Sequence, residues 1–325
     1  MAVFTPVELG EISDWITRDF NIGRASDLRG IHGGIENSNF FLDTIQDGKN
    51  QEYVLTIFER LSAEQLPYYL ELMRHLANKS IPVPRPIENK NGEILFSLKN
   101  KPAAIVTKLP GASQLKPSPR HCALVGEMLA KMHLAGADFP QEQANLRSLP
   151  WWQETVPQIL PHLDAEQKTL LSSELATQAG FFQSASYALL PQGASHCDLF
   201  RDNVLFDHPS GDHSSEERLG GFFDFYFAGT DKFLFDLAVT ANDWCLAENR
   251  RDLDEERLTA LMHAYQAVRP LTNDEQASWA LMLRAAALRF WISRLWDFYL
   301  PRNAQMLTPH DPTHFEQILL SRKAL

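Results

Sequence analysis

The stretch ASHCDLFRDNVLF, from Ala194 to Phe206, sets a histidine, two aspartates, an arginine and an asparagine side by side and then runs into apolar sequence. Its spacing is His196-x-Asp198-x4-Asn203. A second apolar stretch, GGFFDFYFAGTD, delivers Asp224. Both read as short strands whose ends hold oxygen-bearing side chains rigidly beside one another. That set suits phosphoryl transfer. Asp198 is placed to orient an acceptor hydroxyl and take its proton, while the Asn203 amide oxygen and the Asp224 carboxylate are the hard ligands Mg²⁺ prefers. Placement and charge neutralisation then do most of the catalysis. In a loose transition state the hydroxyl proton leaves late, so Asp198 needs no raised pKa. His196 reads as a scaffold for the loop rather than a proton carrier. Two other readings compete. The polar residues can simply cap turns, and His-x-Asp is also half of a two-histidine, one-carboxylate iron site. The helices that follow, and the presence of Asn203 and Asp224, weigh against the iron site.

Working outward, the 325 residues suffice for two modest domains or one two-lobed molecule, and 44% apolar with 22% charged residues is ordinary globular composition. No apolar run is long enough to span a membrane, and the N-terminus lacks the basic and apolar regions of a secretory signal. Three widely spaced cysteines, Cys122, Cys197 and Cys245, fit reduced thiols in a cytoplasmic protein better than a disulfide framework. A net charge of −11 disfavours nucleic acid as a partner.

The N-terminal third reads as mainly strand. Thr5, Pro6 and Glu8 predict a helix start, with Thr5 as its cap. GIHGGIENSNFFLDTI reads as strand, turn at Gly33 and Gly34, strand, and EYVLTIFE (52–59) as their partner. AEQLPYYLELMRHLANKS is helical, with Pro67 in its first turn, and IPVPRPI is extended. GEILFSL and AAIVTKL form a hairpin. After the connector LPGASQLKPSP the character changes to helix. Leu124, Val125, Met128, Leu129 and Met132 share one helical face, further helices fall near 164–178, 232–247 and 254–268, and a long, largely buried one follows the capping box Thr272/Glu275. The expected fold class is α+β and two-lobed: a mainly antiparallel β lobe over 1–107, a hinge at about 106–111, and a mainly α lobe over 108–325.

HCDLFRDNVLF and FFDFYFAGTDKFLFDLA resemble the catalytic loop and metal-binding strand of the protein-kinase-like small-molecule phosphotransferases, the group that includes aminoglycoside phosphotransferases and choline kinases. The resemblance implies a kinase using ATP and Mg²⁺, with Asp198 as base, Asn203 and Asp224 as metal ligands, and Asp236 as a buried structural aspartate. GGIENSNFFL resembles the group's nucleotide-covering loop and IVTKLPG its hinge. This implies Gly33, Gly34, Asn37, Asn39, Thr56, Val106 and Lys108 as nucleotide-binding positions. Within the group, GGIENSNFFL, YVLTIFER, LPYYLELMRHLA, IPVPRPI and RFWISRLWDFY look most like the bacterial homoserine kinases. One departure stands out: Thr56 occupies the strand slot where the group usually carries a lysine or arginine, so Glu71 has no strand cation to pair with. Arg60 and Lys108 are the nearby substitutes.

Homoserine, in threonine synthesis, is then the implied small-molecule substrate, and the protein is expected to be a monomer or homodimer. Its carboxylate calls for arginine. Arg201 lies in the loop itself. Arg289 and Arg294 lie in the apolar C-terminal helix, where a buried arginine needs a carboxylate or an anion. They stand about 140° apart around the helix, too far to grip one anion together. Arg294 is the preferred second ligand, and Asp202 or Asp243 meets the ammonium. The alternatives are a kinase for choline, an aminoglycoside or another small alcohol, and a noncatalytic nucleotide sensor.

Overall fold

A computed structural model describes residues 5–31, 37–208, 216–300 and 310–325. The chain forms two compact units, Met1–Pro110 and Gly111–Leu325.

The first unit is an antiparallel sheet dressed with two helices. In chain order its elements are α1 (Leu9–Asp19), β1 (Arg24–Gly30), β2 (Asn37–Gln46), β3 (Lys49–Phe58), α2 (Leu66–Asn78), β4 (Phe96–Leu98) and β5 (Lys101–Thr107). The strands lie in the order β1-β2-β3-β5-β4. Alternation in β2 buries Ser38, Phe40, Leu42 and Thr44 on one face. With Leu55, Ile57 and Ile105 from the neighbouring strands, Phe40 and Leu42 close a core against Ile12, Ile16 and Phe20. The alternate β3 positions Thr56 and Phe58 are buried as well, so both faces of this strand are covered. Lys99 and Asn100, at φ +54° and +61°, make the two-residue turn between β4 and β5, the left-handed pair that matches strand twist. Helix α1 starts later than Thr5-Pro6 suggests. Its cap is Glu8, in a reciprocal box with Glu11, while the Thr5 amide donates to the Ser38 hydroxyl instead.

The second unit is mainly helical. It contains β6 (Ala112–Ser113), α3 (Pro119–Ala135), α4 (Leu149–Ile159), α5 (Ala165–Phe182), α6 (Ala185–Leu189), β7 (Gln192–Ser195), β8 (Val204–Asp207), β9 (Arg218–Phe222), β10 (Gly229–Lys232), α7 (Phe233–Trp244), α8 (Glu255–Val268), α9 (Asn273–Tyr299) and α10 (Thr313–Lys323). The strands pair as β6-β8-β9 and as β7 with β10. Helices α3 and α8 approach closely because Gly126 has no side chain: a Cβ there would lie 2.4 Å from the Leu261 carbonyl oxygen. The buried face of α3 is Cys122, Val125, Leu129 and Met132, with Leu124 and Met128 only half-buried, a rotation from the face expected. Every residue of α7 is buried, which roots it in the core. The capping box of Thr272 and Glu275 opens α9, whose 27 residues include a run buried from Ala285 to Ile292. Helices α4, α6 and α10 have weaker signals: α4 carries Pro157 within it, α6 is a single turn, and α10 has an irregular apolar pattern. No described helix is long and apolar enough to cross a membrane.

Candidate active site

Strand β7 ends at Ser195, and residues 196–203 leave it as a loop before β8. Asp236, in the first turn of α7 and fully buried, anchors that loop. Its carboxylate accepts the amides of His196 and Cys197, each at 2.8 Å, and Nε2 of His133 at 3.0 Å. Burial pushes the Asp236 carboxyl up, but the hydrogen bonds from His133 and the loop amide outweigh it and hold the group below the ordinary carboxylate range. Burial drives His133 toward its neutral form. The ring then donates from Nε2 to Asp236 and accepts at Nδ1 from the Tyr265 hydroxyl, 2.8 Å away, an assignment that follows from the partners. Arg269 continues the chain, donating to Tyr265 and pairing with Glu275.

Two residues here adopt the left-handed backbone that side chains disfavour by about 1–2 kcal/mol: Cys197 at φ +62° and Asp224 at φ +65°. Each sits where a candidate carboxylate must be aimed, Cys197 immediately before Asp198 and Asp224 in its own right. The Cys197 amide reaches Asp236 in that conformation, which offsets the strain.

His196 is fully buried and held neutral by that burial. Its Nε2 donates to the Phe223 carbonyl at 2.9 Å, tying the loop to the residue before Asp224. The Phe223 amide donates to the Asn203 carbonyl at 3.0 Å. Asn203 and Asp224 are thus fixed side by side. Asn203 Nδ2 donates to the Asp198 carbonyl at 2.8 Å, with a longer approach of 3.5 Å to Asp198 Oδ2, so its amide oxygen turns the other way. Asp224 is exposed. An amide oxygen and an exposed carboxylate fit Mg²⁺, which takes one or two protein oxygens and completes its shell with phosphate and water. Among the described residues no group of three or more His, Cys, Asp or Glu forms a protein-only metal cage.

Sequence reasoning missed what faces the other oxygen of Asp198. Arg289 of α9 places Nη2 3.6 Å from Asp198 Oδ1, with only 4% of its side chain exposed. The guanidinium packs over the rings of Phe290 and Phe227, the latter just past Asp224. The signal was an arginine inside an apolar helix; the identity of its partner, 91 residues earlier, was not readable.

Arg201 turns to Asp243, donating from its amide, Nε and Nη2. Among the described residues Arg294 reaches the Asp311 carbonyl at 3.3 Å and packs over the Phe315 ring. Burial lowers it to about 10, with Asp243 pulling the other way, so Arg201 and Arg294 share that carboxylate's field. Burial, then Arg294 and Arg250, bring His314 beside them to about 4.

The remaining candidates belong to the first unit. Thr56 donates to Asn39 Oδ1 at 2.8 Å across β2 and β3. Val106 is buried opposite Val54, and Asn37 opens β2 opposite Phe58. Lys108 pairs with Glu52 at 2.6 Å, and Glu71 pairs with Arg74 on its own helix. Gly33 and Gly34 lie outside the described residues.

A family model described as "Phosphotransferase enzyme family" matches residues 27–271. A homoserine kinase from Cupriavidus pinatubonensis is 64% identical over 325 residues, covering all of this chain and 97% of that protein. One from Ralstonia pickettii is 59% identical over 322 residues, covering 99% and 96%. Among solved structures, an amicoumacin kinase matches with a TM-score of 0.69 at 14% identity (98% of this chain, 92% of that one). A choline kinase from Cryptosporidium parvum gives 0.66 at 15% (98% and 96%). At such identities the structures speak for the fold alone, an antiparallel sheet unit followed by a helical one, while the family model covers well over half of the sequence. The chain belongs to the phosphotransferase enzyme family.

Proposed function

We propose that the protein is a kinase that transfers the γ-phosphoryl group of ATP to the side-chain hydroxyl of L-homoserine, releasing ADP and O-phospho-L-homoserine for threonine synthesis. The observation that carries the acceptor is the 64% identity to a homoserine kinase along the whole chain. The loop geometry supports the chemistry. Asp198 takes the hydroxyl proton as the oxygen attacks phosphorus, with Arg289 and Asn203 fixing its two oxygens. Asn203 and Asp224 would hold Mg²⁺, which would supply charge neutralisation on the phosphates. Asn37, Asn39, Thr56, Val106 and Lys108 contribute to the nucleotide site. Arg294, which has no ion-pair partner among the described residues, is the favoured anchor for the homoserine carboxylate, while Arg201 holds Asp243 beside it. Asp202, which is exposed, is the favoured ammonium partner. The buried free thiols of Cys122, Cys197 and Cys245 fit a cytoplasmic location.

The test is ADP release from Mg-ATP with homoserine, serine, choline and kanamycin in parallel. Turnover is expected with homoserine alone or far above the rest. Turnover on choline without homoserine defeats the acceptor. Nucleotide binding with no turnover on any alcohol favours a sensor, the reading that Thr56 in the lysine slot invites.

A further inference from the structure

Strands β7 and β10 run antiparallel with Gln192 opposite Lys232 and Gly193 opposite Asp231. At this end of the pair, away from the 196–203 loop, lies a cavity of about 290 Å³ whose polar lining includes Asn145, Ser148, Tyr187, Gln192, Asp231 and Lys232. It sits at the small end of ligand sites, and the proposed catalytic residues do not line it.

Both charged residues are buried, Asp231 at 9% exposure and Lys232 at 7%. They are sequence neighbours, yet no ion pair joins them. Asp231 accepts from Asn145 Nδ2 at 2.6 Å and from the Lys232 amide at 2.7 Å. Lys232 Nζ donates to the Leu190 carbonyl at 2.9 Å and Gln192 Oε1 at 3.0 Å, and stands 5.0 Å from the Tyr187 ring centre. Among the described residues the hydrogen-bond partners of both are neutral, and each feels the other's charge without a direct ion pair. An ammonium has three donors and a carboxylate about four acceptor sites, so both keep capacity in reserve. Burial pushes the Asp231 carboxyl up to about 6 and the Lys232 ammonium down, so both charged forms are short of compensation. A ligand with one charge can compensate one of the two groups; one with both charges can compensate both. The stacked rings of Phe182 and Tyr187, with Pro150, supply apolar wall.

We infer that this cavity binds a small zwitterion of the α-amino-acid class, its ammonium on Asp231 and its carboxylate on Lys232. The inference rests on the cavity and its two buried charges, and it stands or falls separately from the kinase assignment.

The experiment is calorimetric titration of the full chain with L-2-aminobutyrate, L-valine and L-norleucine, which lack the hydroxyl of the proposed substrate. Butylamine and butyrate serve as single-charge probes. At least one of the three zwitterions binds saturably, and both single-charge probes bind about tenfold more weakly or worse. Asp231→Asn and Ala188→Trp each weaken the zwitterion about tenfold or more. Ala188 is an exposed wall residue, so its replacement obstructs the cavity from the solvent side while leaving both charged residues in the sequence. In Ala188→Trp the KM for homoserine stays unchanged. Three results overturn the inference: no saturable binding of any of the three, butyrate or butylamine binding as well as the zwitterion, or zwitterion binding that survives Ala188→Trp. The last places the ligand elsewhere.

Discussion

Asp231 and Asp236 lie five residues apart, on the last strand of the helical unit and the helix that continues it, and both are buried. Their carboxyls are nevertheless driven in opposite directions, Asp236 below its ordinary range and Asp231 up to about 6. Burial acts on both in the same sense, so the difference is in the partners. Asp236 collects a histidine ring and two loop amides; Asp231 collects one side-chain amide and the amide next to it. The contrast extends along the β7–β10 pair. At the loop end Asp198 faces Arg289, and Arg201 just beyond is held by Asp243. At the cavity end the hydrogen-bond partners of Asp231 and Lys232 among the described residues are neutral, and burial outweighs the attraction between the two charges. A buried charge answered inside the chain is architecture; one left half-answered beside empty volume is where a ligand has something to gain.

The sharpest way to break the comparison is at the loop end. Replacing Asp198 by Asn keeps shape but removes the proposed proton acceptor. Turnover should fall by about 10³-fold, within the usual range for a general base, while nucleotide affinity measured by titration stays near that of the wild type. Full activity would show that the loop organises some other group. Asp236→Ala tests the anchoring itself. It strips the partner from a buried histidine and from two loop amides, and should lower unfolding free energy in urea by about 3–5 kcal/mol. A loss under about 1 kcal/mol would mean that the amides find solvent without cost.

Arg289→Met comes next. Removing a buried, charge-assisted contact to Asp198 should reduce kcat by about 10- to 100-fold, with KM for ATP little changed. Arg289→Lys should recover part of that loss, since charge returns without the fork. An unchanged kcat would leave Arg289 as packing against Phe227 and Phe290 only.

Much of this was legible beforehand because it is local. The period-two pattern of FFLDTI, Pro67 in a first turn, and the Thr272/Glu275 box each carry their structural consequence within a few residues. So does His196-x-Asp198-x4-Asn203, whose members are fixed by one loop and two short strands. The rest depended on contacts distant in sequence. His133 and Tyr265 reach Asp236 across 103 and 29 positions, with Tyr265 acting through the histidine. Arg289 reaches Asp198 from a helix whose rotation about its axis the pattern did not specify. Arg201 looked like a ligand by proximity in sequence, and its pairing with Asp243 came from a helix 42 residues on. The rotated face of α3 has the same origin: Gly126 lets α8 approach where a larger residue would have forced another register.

The smallest effect is the most discriminating between the two aspartates, because its sign differs. Asp231 has a folded-state pKa of about 6 against an ordinary 3.8, so the native state binds the extra proton between those values. Stability therefore falls as pH rises from about 4 to about 6, and the full cost, up to about 3 kcal/mol, is present above that window. Asp236 is lowered, so its contribution is present above its unfolded pKa and is lost as pH falls through the folded value. Urea unfolding of Asp231→Asn and wild type at pH 4, 5, 6 and 7 separates this group from the rest of the titration. Relative to wild type, the variant should gain stability across that range by about 1–3 kcal/mol, since the cost of ionising position 231 disappears. Asp236→Asn should instead carry a constant deficit over these pH values, one that shrinks only as pH falls below the ordinary carboxylate range. Parallel curves for Asp231→Asn and wild type would mean that position 231 is as well compensated as position 236. The two ends of the strand pair would then not differ in the way their hydrogen bonds imply.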